Sequence, residues 1–408
     1  LPPNFKKILA YFIINKTAKK MYSSPLSIYV LWHPNFSDGV FFANKIYQNF
    51  NRDTDYVLSR NLNIPVFYRN KANKNNEILS INFQESDKNA IILLIDDNMF
   101  NDAIWEEYVS NILPNLDDNN RIYPIALSSV SNYFLEENNF SRFQSINLMK
   151  TNDLDKQWEI LKSRLLHDIT RMMLDLQSVN DVVNTNTTIT PRPPVKLFLS
   201  HAKADGEELA ISFKNYIENN LKVNTFFDTN DIADGYDFSD EINRNIDKNT
   251  AMIVFLTDAY STREWCQIEV STAKRKKCPI VVVHHIQKQE RRSFPYLGNV
   301  PTIKWNGSFN DIIDLAIIQV LVNLFAQKFL EKHIALYNLE KKYHCHILSN
   351  PPELFNYLDI LKLRQENTDK PVLVLYPDPP LGNEELKILN EVNNDINFVT
   401  PSHSFQYL

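Results

Sequence analysis

The sequence predicts an α/β protein built on open, doubly wound parallel sheets, and three observations carry that expectation. Apolar runs of strand length alternate with segments of helical periodicity along most of the 408 residues. Runs such as Ala90-Ile91-Ile92-Leu93-Leu94-Ile95 and Ala251-Met252-Ile253-Val254-Phe255-Leu256 are continuously apolar, as strands covered on both faces are. Only six glycines occur, and Gly39, Gly206 and Gly382 each follow an apolar strand and a polar turn and precede a helical pattern.

The elements follow in order. Ile28-Tyr29-Val30-Leu31-Trp32 reads as a strand, Ser37-Asp38-Gly39 as a turn, and 41–47 as a helix. Strands are expected at 64–68, 90–95 and 122–127, with Trp105 opening a helix between the last two. A long helix closes this unit, because Trp158, Leu161, Leu165, Ile169 and Met172 recur at helical spacing. The Thr/Asn-rich stretch 179–194, ending in Pro191-Arg192-Pro193-Pro194, has too little apolar content for a core and reads as an extended tether.

A second unit repeats the first. Leu197-Phe198-Leu199-Ser200 leads through Gly206 to a helix reaching Tyr216, and strands follow at 223–228, 251–256 and 279–283. Trp265 answers Trp105, and 309–330 is the matching closing helix. The alternative is that generic strand-turn-helix alternation produces the parallel. Beyond the second unit, 370–382 starts another strand-turn-helix and 396–400 supplies a further strand, too short a stretch for a full unit. The expected division is therefore 1–178, a tether at 179–194, a second unit at 195–335, and a helical connector with a small βαβ appendage at 336–408.

Composition narrows the class. A net charge of -6 argues against a general nucleic-acid binder. Three cysteines in a long chain make no disulfide framework, which favours a reducing, cytoplasmic compartment. The apolar run 315–326 is interrupted by Gln319 and Asn323 and reads as a buried helix rather than a bilayer span, and 8–14 is bracketed by lysines without a signal-peptide cleavage pattern. The first residue is Leu1, so a natural N-terminus is expected to be missing. His344-Cys345-His346 lacks the paired spacing of a structural zinc site, and no metal is assigned. No Gly-x-Gly-x-x-Gly or Walker loop occurs, so neither hydride nor phosphoryl transfer is suggested.

Four motifs stand in order in the second unit: 195–206 with Ser200-His201-Ala202-Lys203-Ala204-Asp205-Gly206, Phe226-Phe227-Asp228 with Ile232-Ala233-Asp234-Gly235, the strand 251–256, and Trp265-Cys266-Gln267-Ile268-Glu269. This segment resembles a TIR domain of the bacterial type, and the resemblance covers roughly a third of the chain. It implies a flavodoxin-like parallel sheet and NAD as substrate rather than bound cofactor, and the internal repeat extends it to a second, divergent TIR-like unit before about residue 180. It also implies that Glu269 is the catalytic acid, that Ser200, Lys203, Asp228 and Trp265 line the substrate site, and that the loop carrying Asp234 and Gly235 mediates assembly. Expected partners are NAD, further copies of the TIR units, and an activating protein or small-molecule trigger; neither membrane nor nucleic acid is expected.

The chemistry is sufficient with one carboxylate. Cleaving the nicotinamide-ribose bond of NAD develops an oxocarbenium-like centre, which a carboxylate stabilises, and cationic nicotinamide leaves as a neutral molecule without a general acid. Other roles compete for each residue: Trp265 as a core anchor, Lys203 as a solvated cation, Asp205 as a helix N-cap, Glu269 as part of a solvated helix face. In the first unit Val109 falls four residues after Trp105, where the second has Glu269, so that unit reads as a pseudoenzyme. Two rivals to an NAD glycohydrolase remain, a non-catalytic TIR scaffold and a nucleoside deoxyribosyltransferase-like enzyme.

Overall fold

The computed structural model describes residues 23–51, 62–71, 77–181, 195–220, 226–228, 246–247, 249–289, 294–393 and 395–408. The first unit contains β1 (Ser24–Leu31), α1 (Gly39–Phe50), β2 (Val66–Arg69), β3 (Ser86–Ile95), α2 (Asp97–Phe100), α3 (Ala103–Ser110), β4 (Asn120–Ala126), α4 (Ser131–Glu137), β5 (Ile146–Asn147) and α5 (Leu154–Asp181). The second contains β6 (Lys196–His201), α6 (Glu207–Asn220), β7 (Phe226–Asp228), β8 (Thr250–Leu256), α7 (Glu264–Arg275), β9 (Ile280–His284), β10 (Thr302–Lys304) and α8 (Phe309–Tyr337). Their sheets run β2-β1-β3-β4-β5 and β7-β6-β8-β9-β10, one strand order used twice, and adjacent strands pair in parallel. This is the flavodoxin-like order, with its switch point between the first and third strands of each sheet. The edge strands β5 and β10 had no signal in the sequence, being two and three residues long.

The two units share their strand order and the helices α1 and α6, α3 and α7, and α5 and α8, with a register one residue away from the tryptophan pairing. Strand β3 ends at Ile95 and β8 at Leu256, and the connections to α3 and α7, 96–102 and 257–263, are of equal length. The buried positions of α3 are Trp105 and Val109, and those of α7 begin Cys266, Glu269, Val270. Trp105 therefore corresponds to Cys266, Val109 to Val270, and Tyr108 to Glu269. The expected match of Val109 with Glu269 is corrected accordingly: both valines are core residues, and Tyr108 stands in the acid's place. Sheet registers, Leu31 beside Leu93 and Ser200 beside Val254, likewise pair Leu31 with Ser200.

Glycine stands at or just before the first helix of each unit, Gly39 opening α1 and Gly206 preceding α6, for a packing reason. A Cβ on Gly39 would stand 2.2 Å from Cδ1 of Trp32, whereas one on Gly206 would meet Ala202 O at 3.2 Å. The helix of the first unit can approach its β-turn only without a side chain there.

The closing helices make one body of the two units. Helices α5 and α8 pack on each other, and α8 also lies against β1 of the first sheet and β8 and β9 of the second. One apolar cluster runs through Ile28 and Val30, Leu161 and Leu165, Ile317 and Val320, to Leu197 and Leu199. Within it Asp314 of α8 accepts a hydrogen bond from Ser163 Oγ at 2.5 Å and lies 3.3 Å from Lys162 Nζ of α5. Burial pushes the Asp314 carboxyl above its ordinary range, against the pull of the Ser163 bond and the Lys162 charge. Helix α8, at 29 residues, is longer than the 309–330 expected and is long and apolar enough to cross a membrane, yet 56% of its most apolar window is buried inside the protein. Helix α5 likewise continues to Asp181, into the stretch read as tether; residues 182–194 lie outside the described set.

A third sheet holds β11 (His344–Ile347), β12 (Val372–Leu375) and β13 (Ile396–Val399) in that order, all parallel, connected by α9 (Leu354–Glu366) and α10 (Asn383–Val392). The sequence announced β12, α10 and β13; β11 was hidden in His344-Cys345-His346, which looks polar because that edge strand is half-buried. Helix α9 packs against α7 of the second unit.

Candidate active site

Glu269 is buried because of its place in the helical period. Cys266, Glu269, Val270 and Ala273 form the inward stripe of α7, and Glu269 is the one carboxylate on it, 3% exposed. Strand periodicity brings its partner. Alternation along β6 sends Leu197 and Leu199 to the closing-helix side and Phe198 and Ser200 to the α7 side, so Ser200 puts a hydroxyl where an apolar side chain would otherwise sit.

The result is a buried relay. Tyr260, in a single 3-10 turn after β8, lies with its hydroxyl 2.5 Å from Ser200 Oγ, and Ser200 Oγ donates to Glu269 Oε2. Burial and the nearby Cys266 and Glu269 raise the Tyr260 phenol well above its ordinary pKa, so it remains a neutral donor. Burial and Glu269 also push the Cys266 thiol up to about 12, which keeps it protonated. Its Sγ contacts the His201 carbonyl at 3.6 Å. A carboxylate in so dry a setting interacts with charge more strongly than one in water.

Three carboxyl-edge loops surround this relay. Asp205 accepts from Thr257 Oγ1 at 2.7 Å and from the Ala259 backbone N–H at 2.9 Å, fastening the loop after β6 to the loop after β8. It is a loop clasp, which corrects the N-cap expectation. Asp258 accepts backbone N–H bonds from Gln287, Lys288 and Gln289, and these hold its carboxyl below the ordinary range. Sequence reading missed Tyr260 and Asp258; Thr257-Asp258-Ala259-Tyr260 directly after a buried strand was the available signal.

The other expected site residues are placed as follows. Trp265 is 51% exposed at the start of α7, so it is not the core anchor that a helix-leading tryptophan suggested; Cys266 fills that position. Lys203 is exposed in the turn after β6. Asp228 ends β7, its backbone beside Leu199, at the edge that carries Ser200. Asp234 and Gly235 lie outside the described residues. The structure thus brings Ser200 and Glu269 into contact and sets Lys203, Asp228 and Trp265 on elements that end or begin at the same edge. No group of His, Cys, Asp and Glu among the described residues has the arrangement of a metal site.

The first unit lacks the relay. By the structural register Leu31, Met99 and Tyr108 replace Ser200, Tyr260 and Glu269, and Tyr108 turns its hydroxyl to the Leu79 carbonyl at 2.9 Å. At that edge His33 Nδ1 accepts from Asn35 N–H at 3.1 Å while Nε2 donates to Asp102 Oδ2 at 3.2 Å, so both ring nitrogens are occupied in holding the loop to the start of α3.

A family model described as TIR domain matches residues 197–315. No curated protein matches the chain. Among solved structures, a tagatose-6-phosphate ketose/aldose isomerase from Escherichia coli is 10% identical over 80% of this chain and 87% of its own, with a TM-score of 0.21. A candidate sugar binding protein from Salmonella typhimurium LT2 is 11% identical over 61% of this chain and 89% of its own, with a TM-score of 0.20. Likenesses this low carry no argument about fold or function.

Proposed function

Residues 197–315 are a TIR domain, and from that premise we propose that the protein is an NAD glycohydrolase in which Glu269 acts on the nicotinamide-ribose bond. The observation that carries this reading is the buried Tyr260–Ser200–Glu269 relay at the edge of a parallel sheet where ligands bind. A carboxylate positioned there stabilises the positive charge that develops on the ribose as neutral nicotinamide departs. Ser200 orients the carboxylate, Trp265 offers an exposed ring to the nicotinamide, and Lys203 offers a cation to the pyrophosphate. Water then hydrolyses the ribosyl centre, or an internal nucleophile of the adenine cyclises it.

Glu269 is 3% exposed in this structure, so substrate reaches it only after the surrounding elements rearrange. That favours an enzyme activated by self-association of its TIR units or by a trigger, as a cytoplasmic effector in bacterial antiphage defence would be. In this reading the first unit is a divergent, catalytically silent TIR-like unit. The same burial favours a second reading, a non-catalytic TIR scaffold. Incubation with NAD over a wide range of protein concentration, with nicotinamide and ADP-ribose products quantified, tests the proposal. Release of nicotinamide supports it; a protein inert at every concentration and in assembled form supports the scaffold, and base exchange on deoxynucleosides would point to a deoxyribosyltransferase.

A further inference from the structure

The third sheet is covered on both faces, but one cover leaves apolar surface in solvent. Helix α8 fills the first face, where Leu330 and Ile334 meet Leu373, Leu375 and Val399. Helices α9 and α10 share the other: Tyr357 and Ile360 of α9 and Leu386 and Leu389 of α10 belong to one cluster with Val372, Val374, Ile396 and Phe398. The Tyr357 hydroxyl donates to the Leu389 carbonyl at 3.4 Å, which links the two helices. Beside that bond each helix turns an apolar stripe outward. Leu354 and Leu358 on α9, and Ile388 and Val392 on α10, each pair one helical turn apart, are 61% to 65% exposed. Helix α10 has no buried residue, although its apolar residues lie on one side. Exposed apolar surface gathered in this way marks a contact site.

The charges around these stripes set the sign of what covers them. Arg364 is held by Asp395 at 2.8 Å, Glu353 by Lys274 at 2.8 Å, and Asp359 acts on His346. The two helices still carry Glu366, Glu384, Glu385 and Glu391 against Lys362 and Lys387, so the surface is acidic. An amphipathic segment with cations beside its apolar side complements it. The chain contains one. Residues 1–22 lie outside the described set, and their sequence places Phe5, Ile8, Leu9, Phe12 and Ile13 at the spacing of one helix side. The same stretch has Lys6, Lys7, Lys16, Lys19 and Lys20 and no acidic residue. Ser23, which follows it, accepts from Lys332 Nζ of α8 at 2.7 Å, so the segment joins the described fold beside the helix on the sheet's other face. Residues 14–22, extended, reach about 30 Å, against about 20 Å between helix layers on the two faces of a sheet.

We propose that residues 1–22 dock on α9 and α10 of the same chain, laying the apolar side of 5–13 over Leu354, Leu358, Ile388 and Val392 with the lysines toward the acidic rim. The docking stands independently of the NAD reading. In the full chain, a photoreactive p-benzoylphenylalanine in place of Phe12 is irradiated in an equal mixture of isotopically light and heavy protein, and the cross-linked peptides are mapped by mass spectrometry. Cross-links within one chain to 354–366 or 383–393 are expected. Their yield should fall about tenfold or more in Leu358→Lys and in Ile388→Lys, each of which removes apolar contact and adds a like charge. Both side chains are exposed, so little stability is at stake, and thermal melts establish that each variant is folded. Cross-links that map elsewhere, that join light to heavy chains, that keep their yield in both folded variants, or that fail to form would each overturn the proposal.

Discussion

Ser200 and Glu269, 69 residues apart, meet through a hydroxyl-to-carboxylate hydrogen bond that closes β6 onto α7. The bond resolves what would otherwise be a strongly unfavourable placement, an acid on the apolar stripe of a helix. Glu269→Gln keeps the volume and can still accept from Ser200 while losing the charge. NAD cleavage is expected to fall by about 10²-fold or more with little change in melting temperature. Nicotinamide release measured by chromatography checks this, and undiminished turnover would place the chemistry elsewhere.

Ser200→Ala removes the link between Tyr260 and Glu269 and costs each of them one hydrogen bond. Hydrogen bonds to charged groups are worth about 1.5–3 kcal/mol, so a loss of stability of that order and a reduced rate are expected together. Ser200→Thr, which retains the hydroxyl, is the control. Urea unfolding curves and initial rates measure the two effects.

Gly39→Ala forces a methyl into Trp32, and a buried indole has little room to move; overpacking of this kind costs about 1–3 kcal/mol. Gly206→Ala meets only a 3.2 Å approach and is expected to cost less. Equal melting temperatures for the two variants would contradict the packing argument.

The continuous core between α5 and α8 predicts one cooperative unfolding transition for the first and second units. A fragment ending near residue 180 exposes the α8-facing side of α5 and is expected to aggregate or remain partly unfolded. Asp314→Ala strips Lys162 and Ser163 of a buried partner and is expected to destabilise by about 1–3 kcal/mol, since Lys162 keeps Glu159. Calorimetry that resolved two transitions for these units would argue against the shared core.

Stability should decline at both ends of the pH scale. Cys266, Cys278 and Tyr260 have pKa values raised by burial, so the folded state holds protons that the unfolded state releases. Their contribution is complete below about pH 9 and is lost as pH rises above it. His346 has a lowered pKa, so the unfolded state binds the extra proton, and its contribution is lost as pH falls from about 6.5 towards 4. Melting temperature against pH is the measurement. Cys278→Ala should flatten the alkaline limb and His346→Gln the acid limb.

The sequence by itself determined the layered α/β class, the alternation of elements and the candidate acid. Continuous apolar strands and the turn glycines are local patterns, and Trp265 to Glu269 is a local motif. It also foretold the recurrence of strands in the first half, although pairing by tryptophan misplaced the register by one residue. Burial decided that register: Trp105 faces a core where Trp265 faces solvent, and helix phase is visible only when the packed side is known. Tertiary structure alone brought Ser200 and Tyr260 to Glu269, because their partnership spans strand, turn and helix with no fixed spacing. It also turned Asp205 from an N-cap into a loop clasp, revealed β11, and fused two sheets around α5 and α8. Contacts between distant segments depend on how elements stack, and a linear pattern of apolar and polar residues does not encode which of two buried faces meets which.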